Sequence, residues 1–380
     1  MNDDYLLARG QEILSERVKV IESSGIRRVF DLGAKAINPV NFSIGQPDFP
    51  APEPVREAAK RAIDDGISGY TPTQGIDPLR AGVADKLNRV NDVPCTMDDV
   101  LITAGSSGGL LLAMSAVLDP GDEIVIPDPY FVSYIQLARF LGAKPVLVDT
   151  YPDFQIDPSK LAGAITPRTK AIMINTPNNP TGAVYPAQTL KEIASVAERH
   201  GVLIISDEVY EDYVYDGRRH FSMGSVYPLT VTVNAFSKSH SLTGWRIGYA
   251  VAPKAIFSKM AELQQYTFVC APSFAQSAML AALKMGPAEE ISTYQSRRDL
   301  AYSLLSQTFT VTKPQGSFYI MPELGGADSN EFVERAIASN VLIIPGQIFS
   351  ERNTNIRLSY STSEDDIRRG IGILNKLAEV

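Results

Sequence analysis

Between Val100 and Ala252, short continuous apolar runs alternate with longer stretches that carry apolar residues at helical spacing. The runs are Val100–Thr103, Glu123–Ile126, Pro145–Val148, Ala171–Ile174, Val202–Ile205, Val231–Ala235 and Ile247–Val251. A strand that is apolar on both faces is one covered on both sides. Alternation of such runs with helical stretches, among them Gly109–Leu118 and Ala187–His200, predicts a mainly parallel sheet with crossover helices. Gly201 directly follows His200 and suits the residue that closes a helix.

Outside this block the pattern changes. Ile13, Arg17, Val20 and Ile21 fit one helical stripe within residues 5–31. Residues 41–50 are punctuated by Gly45, Pro47 and Pro50 and read as a loop. Helices are expected over Pro54–Ile63 and Pro78–Val90. From Lys254 a long helical region runs to about Arg298 and beyond. Ser317–Ile320 and Asn355–Ser359 then read as strands of a smaller α+β unit. The closing helix has Ser363 as its N-cap and carries Ile367, Ile371 and Leu374 on one face.

The length of 380 residues suggests two or three domains. A net charge of -8 argues against nucleic acid or an anionic membrane as partner. No apolar run is long enough to span a bilayer, and the acidic start, Met1 to Tyr5, lacks a signal-peptide core. Cys95 and Cys270 stand far apart, without His or Cys companions at ligand spacing, so neither a metal site nor a disulfide framework is expected. A reduced, cytoplasmic location is the resulting expectation.

In open α/β sheets ligands bind beyond the carboxyl ends of the strands, so the residues just after each run are informative. The first run leads into Ala104-Gly105-Ser106-Ser107-Gly108-Gly109, small residues that let backbone N–H groups approach an anion at a helix start. Pro127-Asp128-Pro129-Tyr130-Phe131 offers rings for stacking. The turn from Asn175 to Gly182 holds Asn179 between prolines. Asp207 follows the four apolar residues Val202–Ile205 and Ser206, where a cationic partner is needed to keep it ionised. The run at Val231 delivers Ser237 and Lys238. A desolvated lysine amine has its pKa lowered and its lone pair freed, as Schiff-base chemistry requires. Arg246 and Ser237 could clamp a phosphate beside it.

Each feature alone has an ordinary explanation: a tight turn, a core aromatic, a solvated loop lysine. Their agreement on one rim is specific. Together they describe a site for pyridoxal phosphate, whose ring takes up carbanion charge when a carboxylate keeps its nitrogen protonated. Arg357 alternates with Ile356 and Leu358, so it projects from one face of a strand. Its guanidinium offers a two-pronged seat for a carboxylate.

The segments Asn179-Pro180-Thr181-Gly182, Asp207-Glu208-Val209-Tyr210, Ser237-Lys238 with Gly244-Trp245-Arg246-Ile247-Gly248-Tyr249, and Asn355 to Ser359 carry a resemblance. They resemble the fold-type I, class I/II pyridoxal-phosphate aminotransferases, those similar to aspartate aminotransferase. The matching motifs run from about Phe42 to Arg357.

The resemblance implies that Lys238 carries pyridoxal 5'-phosphate as a Schiff base and later shuttles the proton. It implies that Asp207 pairs with the pyridine nitrogen and that Tyr210 and Asn179 contact the ring oxygen. Gly105, Ser106, Ser107, Ser237 and Arg246 would hold the phosphate, with Phe131 in the ring-stacking place. Lys238, Asp207 and Tyr210 are then the catalytic set. Gly45, Asn179 and Arg357 would bind substrate, Arg357 taking its carboxylate. Tyr70 matches a tyrosine that reaches the phosphate of the neighbouring subunit, which implies a homodimer with shared active sites. The implied architecture is a large domain, 46–275, with a mainly parallel seven-stranded sheet between helices. Residues 276–380 form a small α+β domain, which the N-terminal segment 1–45 joins.

The implied activity is transfer of an amino group from an L-amino acid to a 2-oxo acid, with 2-oxoglutarate as acceptor. A C–S β-lyase or related eliminating enzyme on the same scaffold would share the cofactor site. A cofactor-binding regulator would carry an added DNA-binding domain, against which the short segment before Phe42 and the negative charge both speak. One subgroup of aspartate-specific relatives places a lysine in the phosphate-loop helix. Ser107 stands there instead, so a side-chain carboxylate would have to be met by another arginine. His240, two residues after Lys238, is not expected to act, because this family uses the lysine as its acid and base. His200 and His220 read as structural or solvent-facing.

Overall fold

The computed structural model describes residues 3–23, 25–27, 29, 37–286 and 290–379. Residues 5–31 fall partly outside the described residues, but the expected stripe lies within them and is not formed: Ile13 ends the helix Asp3–Ile13, Arg17 belongs to the separate turn Glu16–Lys19, Val20 and Ile21 follow that turn, and all four are exposed. A seven-stranded sheet forms the centre of the large unit. Its order is Val100–Thr103, Gly248–Val251, Thr230–Ala235, Leu203–Asp207, Thr169–Asn175, Glu123–Asp128 and Lys144–Asp149. Gly248–Val251 runs antiparallel to both neighbours, and the remaining pairs are parallel. The exception stems from chain length. The segment between Ala235 and Gly248 is too short for the usual crossover helix, so the chain returns directly.

Val100–Thr103, Glu123–Asp128, Leu203–Asp207, Thr230–Ala235 and Gly248–Val251 are buried along their whole length, as their unbroken apolar runs require, and Thr169–Asn175 is buried except at Lys170. Register aligns their ends: Asn175 pairs with Asp207, and Gly248 pairs with both Ala235 and Thr103. The segments that carry Gly105, Asn179, Asp207 and Lys238 therefore leave the sheet at one edge.

Gly105–Val117 begins four residues earlier than its apolar pattern predicts, so Ser106 and Ser107 lie in its first turn. The long helical region after Lys254 is three helices, Lys254–Thr267, Ser273–Ala282 and Glu290–Leu305. Val269, with φ 65°, and Pro272 break the first from the second. Ser273–Ala282 packs on Glu53–Asp64 and Asp77–Val90, so the division expected after residue 275 passes through a helix that belongs with the large unit.

The smaller unit holds a three-stranded antiparallel sheet, ordered Ile344–Pro345, Ile356–Ser359, Tyr319–Ile320. Val40–Asn41 pairs in parallel with Val341–Leu342, so the N-terminal part of the chain is joined to the C-terminal part. The closing helix Glu364–Ala378 is capped by Ser363, whose Oγ accepts from the Asp366 amide at 3.1 Å. Its stripe Ile367, Ile371 and Leu374 is buried with Val40, Phe42 and Tyr319 in one apolar cluster.

Candidate active site

The strand ends meet the small unit around a cavity of about 280 Å³. Gly45, Ser106, Ser107, Phe131, Asn179, Asp207, Tyr210, Ser237, Lys238, Arg246 and Arg357 all line it. Gly105 lies just behind the wall with φ +70°; a Cβ there would sit 2.6 Å from Nη2 of Arg246. Glycine thus supplies the left-handed backbone and lets the guanidinium rest against the helix start. Tyr70 lies outside the cavity and is 87% exposed. Its loop is held in place from Thr73, whose carbonyl accepts from Gln264 Nε2 at 2.6 Å, and from Thr71, whose Oγ1 accepts from Gln276 Nε2 at 2.9 Å.

Lys238 sits on a single helical turn, Phe236–Ser239, whose shape is fixed by Tyr213 donating to the Lys238 carbonyl at 2.8 Å. Nζ donates to the Gly45 carbonyl at 2.5 Å. Burial first, then the charges of Arg357 and Arg246, push the amine down to about 8, while Asp207 pulls the other way. A usable fraction of free amine therefore exists near neutral pH.

Asp207 is buried, and burial pushes its carboxyl up to about 6. Its Oδ2 accepts from the Tyr134 hydroxyl at 2.8 Å and its Oδ1 from the Val209 amide at 3.3 Å, both of which favour the anion. The attraction of Lys238 is the weakest of the influences on it. Among the described residues, none forms an ion pair with this anion.

Arg357 is the matching cation. It is 1% exposed and lies between the rings of Tyr319 and Phe349, its guanidinium carbon 4.6 and 4.5 Å from their centroids. Nη2 donates to the Ser43 carbonyl at 2.7 Å and Nη1 to Asn179 Oδ1 at 3.2 Å. Nε is buried without a partner. Burial lowers its pKa, and the influences opposing this are Tyr319 and Tyr210 rather than a carboxylate.

Four neighbours escape a reading of the sequence. Tyr134 orients Asp207; it belongs to the helix Val132–Phe140, where an apolar-stripe aromatic gives no sign of a polar task. Asn175 donates Nδ2 to the Asp207 carbonyl at 2.9 Å and accepts the Asn179 amide at 2.9 Å, so it ties two functional loops together. Its place at the end of a strand is the available signal. Tyr319 meets the Tyr210 hydroxyl at 3.0 Å, and Phe349 covers Arg357; both come from the small unit. His240 pairs with Ser239 Oγ at 2.8 Å and does not line the cavity.

The donor set suits pyridoxal 5'-phosphate. Ser237 Oγ is buried without a partner, beside Ser106 and Ser107 in the helix's first turn and the Arg246 guanidinium. That grouping fits a phosphate dianion. Asp207 fits a protonated ring nitrogen, and the Lys238 amine an aldehyde carbon. A second cavity of about 630 Å³, lined by Ile21, Ile44, Tyr130 and Ile348 among others, shares Ile26, Gly45 and Phe131 with the first and adjoins it.

Comparison with known proteins gives a consistent result. The family described as Aminotransferase class I and II matches residues 37–374. A probable aspartate aminotransferase of Methanocaldococcus jannaschii is 39% identical over 97% of this chain and 100% of its own. An aspartate/prephenate aminotransferase of Thermus thermophilus is 38% identical over 94% of this chain and 97% of its own. The solved aspartate aminotransferase from Thermus thermophilus with maleate superposes with a TM-score of 0.90 at 37% identity, over 96% of this chain and 99% of that one.

Proposed function

The chain belongs to the class I and II aminotransferases, which use pyridoxal 5'-phosphate to move amino groups between amino acids and 2-oxo acids, and we propose that Lys238, Asp207 and Tyr210 carry that chemistry here. The observation that supports the reading most is one cavity holding a depressed lysine amine, an uncompensated carboxylate and an uncompensated arginine.

When bound, the cofactor supplies a protonated aromatic ring that accepts the electron pair released at the substrate's Cα. Asp207, oriented by Tyr134, holds the proton on the ring nitrogen. Ser106, Ser107, Ser237 and Arg246, with Gly105 giving them room, hold the phosphate. Phe131 covers the ring. Tyr210 and Asn179 hold the ring oxygen. Arg357, together with Asn179 and the backbone at Gly45, seats the α-carboxylate of an L-amino acid and then of the 2-oxo acid acceptor, 2-oxoglutarate. Lys238 Nζ, once free, takes the proton from Cα and returns it on the other side of the exchange.

The working unit in this reading is a homodimer with shared sites. Tyr70 supports it: a large aromatic held out on an ordered loop has no partner in its own subunit's cavity. Its hydroxyl would reach the phosphate of the neighbouring site. The division into a large unit, 46–275, and a small one, 276–380 with 1–45, is part of this reading, and the packing of Ser273–Ala282 on Glu53–Asp64 supports carrying the large unit to the end of that helix. A cytoplasmic setting belongs to the same reading, since Cys95 and Cys270 are free thiols. Among the described residues, no helix is long and apolar enough to cross a membrane.

One set of variants tests the proposal. Lys238→Ala should lose activity with every amino donor and 2-oxoglutarate, and borohydride should fix the cofactor to Lys238 in wild type. Mixing Lys238→Ala with Tyr70→Ala chains should restore part of the activity, because heterodimers contain one site free of both defects. A label on another lysine sinks the assignment of Lys238. Absence of recovery despite proven subunit exchange sinks the shared site.

A further inference from the structure

Behind the site lies a set of charges that the proposed chemistry does not use. Along Asp207–Tyr213 the side chains divide between two sides. Asp207 and Tyr210 line the cavity, and Tyr213 holds the carbonyl of Lys238. Glu208 and Glu211 line no part of it and turn to the rear. Glu208 is 0% exposed; its Oε1 accepts from Ser206 Oγ at 2.8 Å, Ser222 Oγ at 2.9 Å and the Met223 amide at 3.1 Å. Its Oε2 meets Nε2 of His220 at 3.0 Å. Glu211 meets Nζ of Lys86 and accepts from Asn91 Nδ2 at 2.6 Å. Lys86 also reaches the Tyr249 hydroxyl at 3.3 Å, in the strand beside the one that delivers Lys238.

Atoms of Glu208, Glu211 and His220 lie within 4.8 Å of one another, a spacing that a metal ion could use. The cluster already has its own cations. Burial opposes charge on Lys86 and on His220, but Glu211 and Glu208 outweigh it and raise both pKa values. Burial likewise opposes charge on Glu211, and Lys86 leads the influences that overcome it. Asp212, the next acid, is pushed up to about 6 by burial and by Glu211. Two anions thus face two cations, and a divalent ion would have to displace partners in good contact.

We propose that Lys86 and His220 are positioning residues for the cofactor site: by anchoring Glu211 and Glu208 from behind, they fix the loop that presents Asp207 and Tyr210. This rests on the roles given to those two residues above. The mechanical case is direct. The strand ends at Asp207; beyond it Glu208 N bonds Val233 O at 2.9 Å and Ser317 N bonds Tyr213 O at 2.9 Å, while Glu211 N to Glu208 O at 2.9 Å and Tyr213 N to Tyr210 O at 2.8 Å tie the loop only to itself. Side-chain anchors on the rear face therefore decide where the front face stands. Lys86 brings that anchor from the helix Asp77–Val90, an element that contributes nothing to the cavity itself.

The test is titration of the purified apoprotein with pyridoxal 5'-phosphate, then pH titration of the bound chromophore's absorption. Lys86→Met should raise the cofactor Kd about tenfold or more and move the chromophore's pKa, while Lys86→Arg should keep both nearer to wild type. Asn91→Ala, which removes a lesser hold on Glu211, should give a smaller rise and serves if Lys86→Met does not fold. Leu190→Ala, in the buried face of the remote helix Ala187–His200, should cost stability without moving either value. Lys86→Met or Asn91→Ala with wild-type Kd and chromophore pKa would overturn the proposal and leave the cluster a purely structural joint. Failure of wild type to bind the cofactor would instead overturn the site assignment itself.

Discussion

Arg298 and Arg357 are both fully buried, one on the helix Glu290–Leu305 of the small unit, the other in the floor of the site. Arg298 donates from Nη1 and Nη2 to the two oxygens of Asp216 at 2.9 and 2.7 Å, and Nη1 also reaches the Pro314 carbonyl at 2.8 Å. Burial works against its charge, but Asp216 and Asp299 more than offset that and raise its pKa. Arg357 has two rings, a carbonyl and an amide oxygen around it, and burial lowers its pKa. The same side chain, equally shut off from solvent, thus has opposite electrostatics, with Arg298 nearer the surface through Asp216. A buried charge that its own chain completes is a joint. One left incomplete is a demand for a charge from outside. The anions repeat the contrast: Glu211 is closed by Lys86 and Asn91, whereas among the described residues the Asp207 carboxylate accepts from a hydroxyl and an amide and from no cation.

The largest effect should come from Arg357. Arg357→Lys keeps a charge but loses the fork. We expect kcat/KM to fall by roughly two to three orders of magnitude, in line with the 2–5 kcal/mol lost when one member of a desolvated pair is removed. The loss should be equal for all amino donors, since all share the α-carboxylate, and amines without one should be nearly indifferent. A loss confined to one class of side chain would make Arg357 a reader of side chains and erase its contrast with Arg298.

Asp207 offers the next test, on the apoprotein. Its carboxyl is raised to about 6 in the fold, so ionising it without a counter-cation is unfavourable to folding. That penalty is absent below its ordinary range near pH 4, grows as pH rises, and is complete above about 6, where it amounts to at most about 3 kcal/mol. The Asp207→Asn apoprotein should therefore be more stable than wild-type apoprotein at pH 7, with the gap closing toward pH 4.5. Urea midpoints across that range measure it. A wild type that is the more stable at pH 7 would mean that Asp207 is already completed by its own chain.

The smallest effect is expected at Arg298. Arg298→Met loses its hydrogen bonds to Asp216 and Pro314, but Asp216 is near the surface and can be rehydrated. About 1–3 kcal/mol of stability should go, by the usual cost of charged hydrogen bonds. Thermal melts should fall by a few degrees while kcat/KM stays within a factor of two. A large fall in kcat/KM at unchanged stability would place Arg298 among the functional charges.

The same contrast explains what a sequence can and cannot disclose. Asp207 and Arg357 are legible because one closes a buried apolar strand and the other stands between Ile356 and Leu358, and a charge in such a place must have a reason. Lys238 is legible from its place between two buried strands. Tyr134, Tyr319 and Phe349 are not, because an aromatic at a core position looks the same whether it merely packs or also positions a charge. The seven runs correspond to the strands of the sheet, since unbroken apolar stretches leave little choice. The start of Gly105–Val117 reads late because its first turn is glycine and serine, which carry no helical stripe. Half of the break after Thr267 is hidden, a left-handed Val269 that no propensity predicts; the other half, Pro272 ahead of the next helix, stands in the sequence.

The pairing of Val40 with Val341 has a consequence in time. Synthesis runs from the N-terminus at roughly 5–20 residues per second. Val40 therefore waits on the order of 15–60 s before its strand partner has even been added. The two carbonyls that receive Arg357 and Lys238, those of Ser43 and Gly45, come directly after that strand. Nearly the whole central sheet can be complete while this corner is still open. The corner that holds Arg357 is thus completed only late in synthesis, with the closing helix Glu364–Ala378 still to follow, and a chain cut short by its final tenth would keep the large unit's sheet and lose that corner.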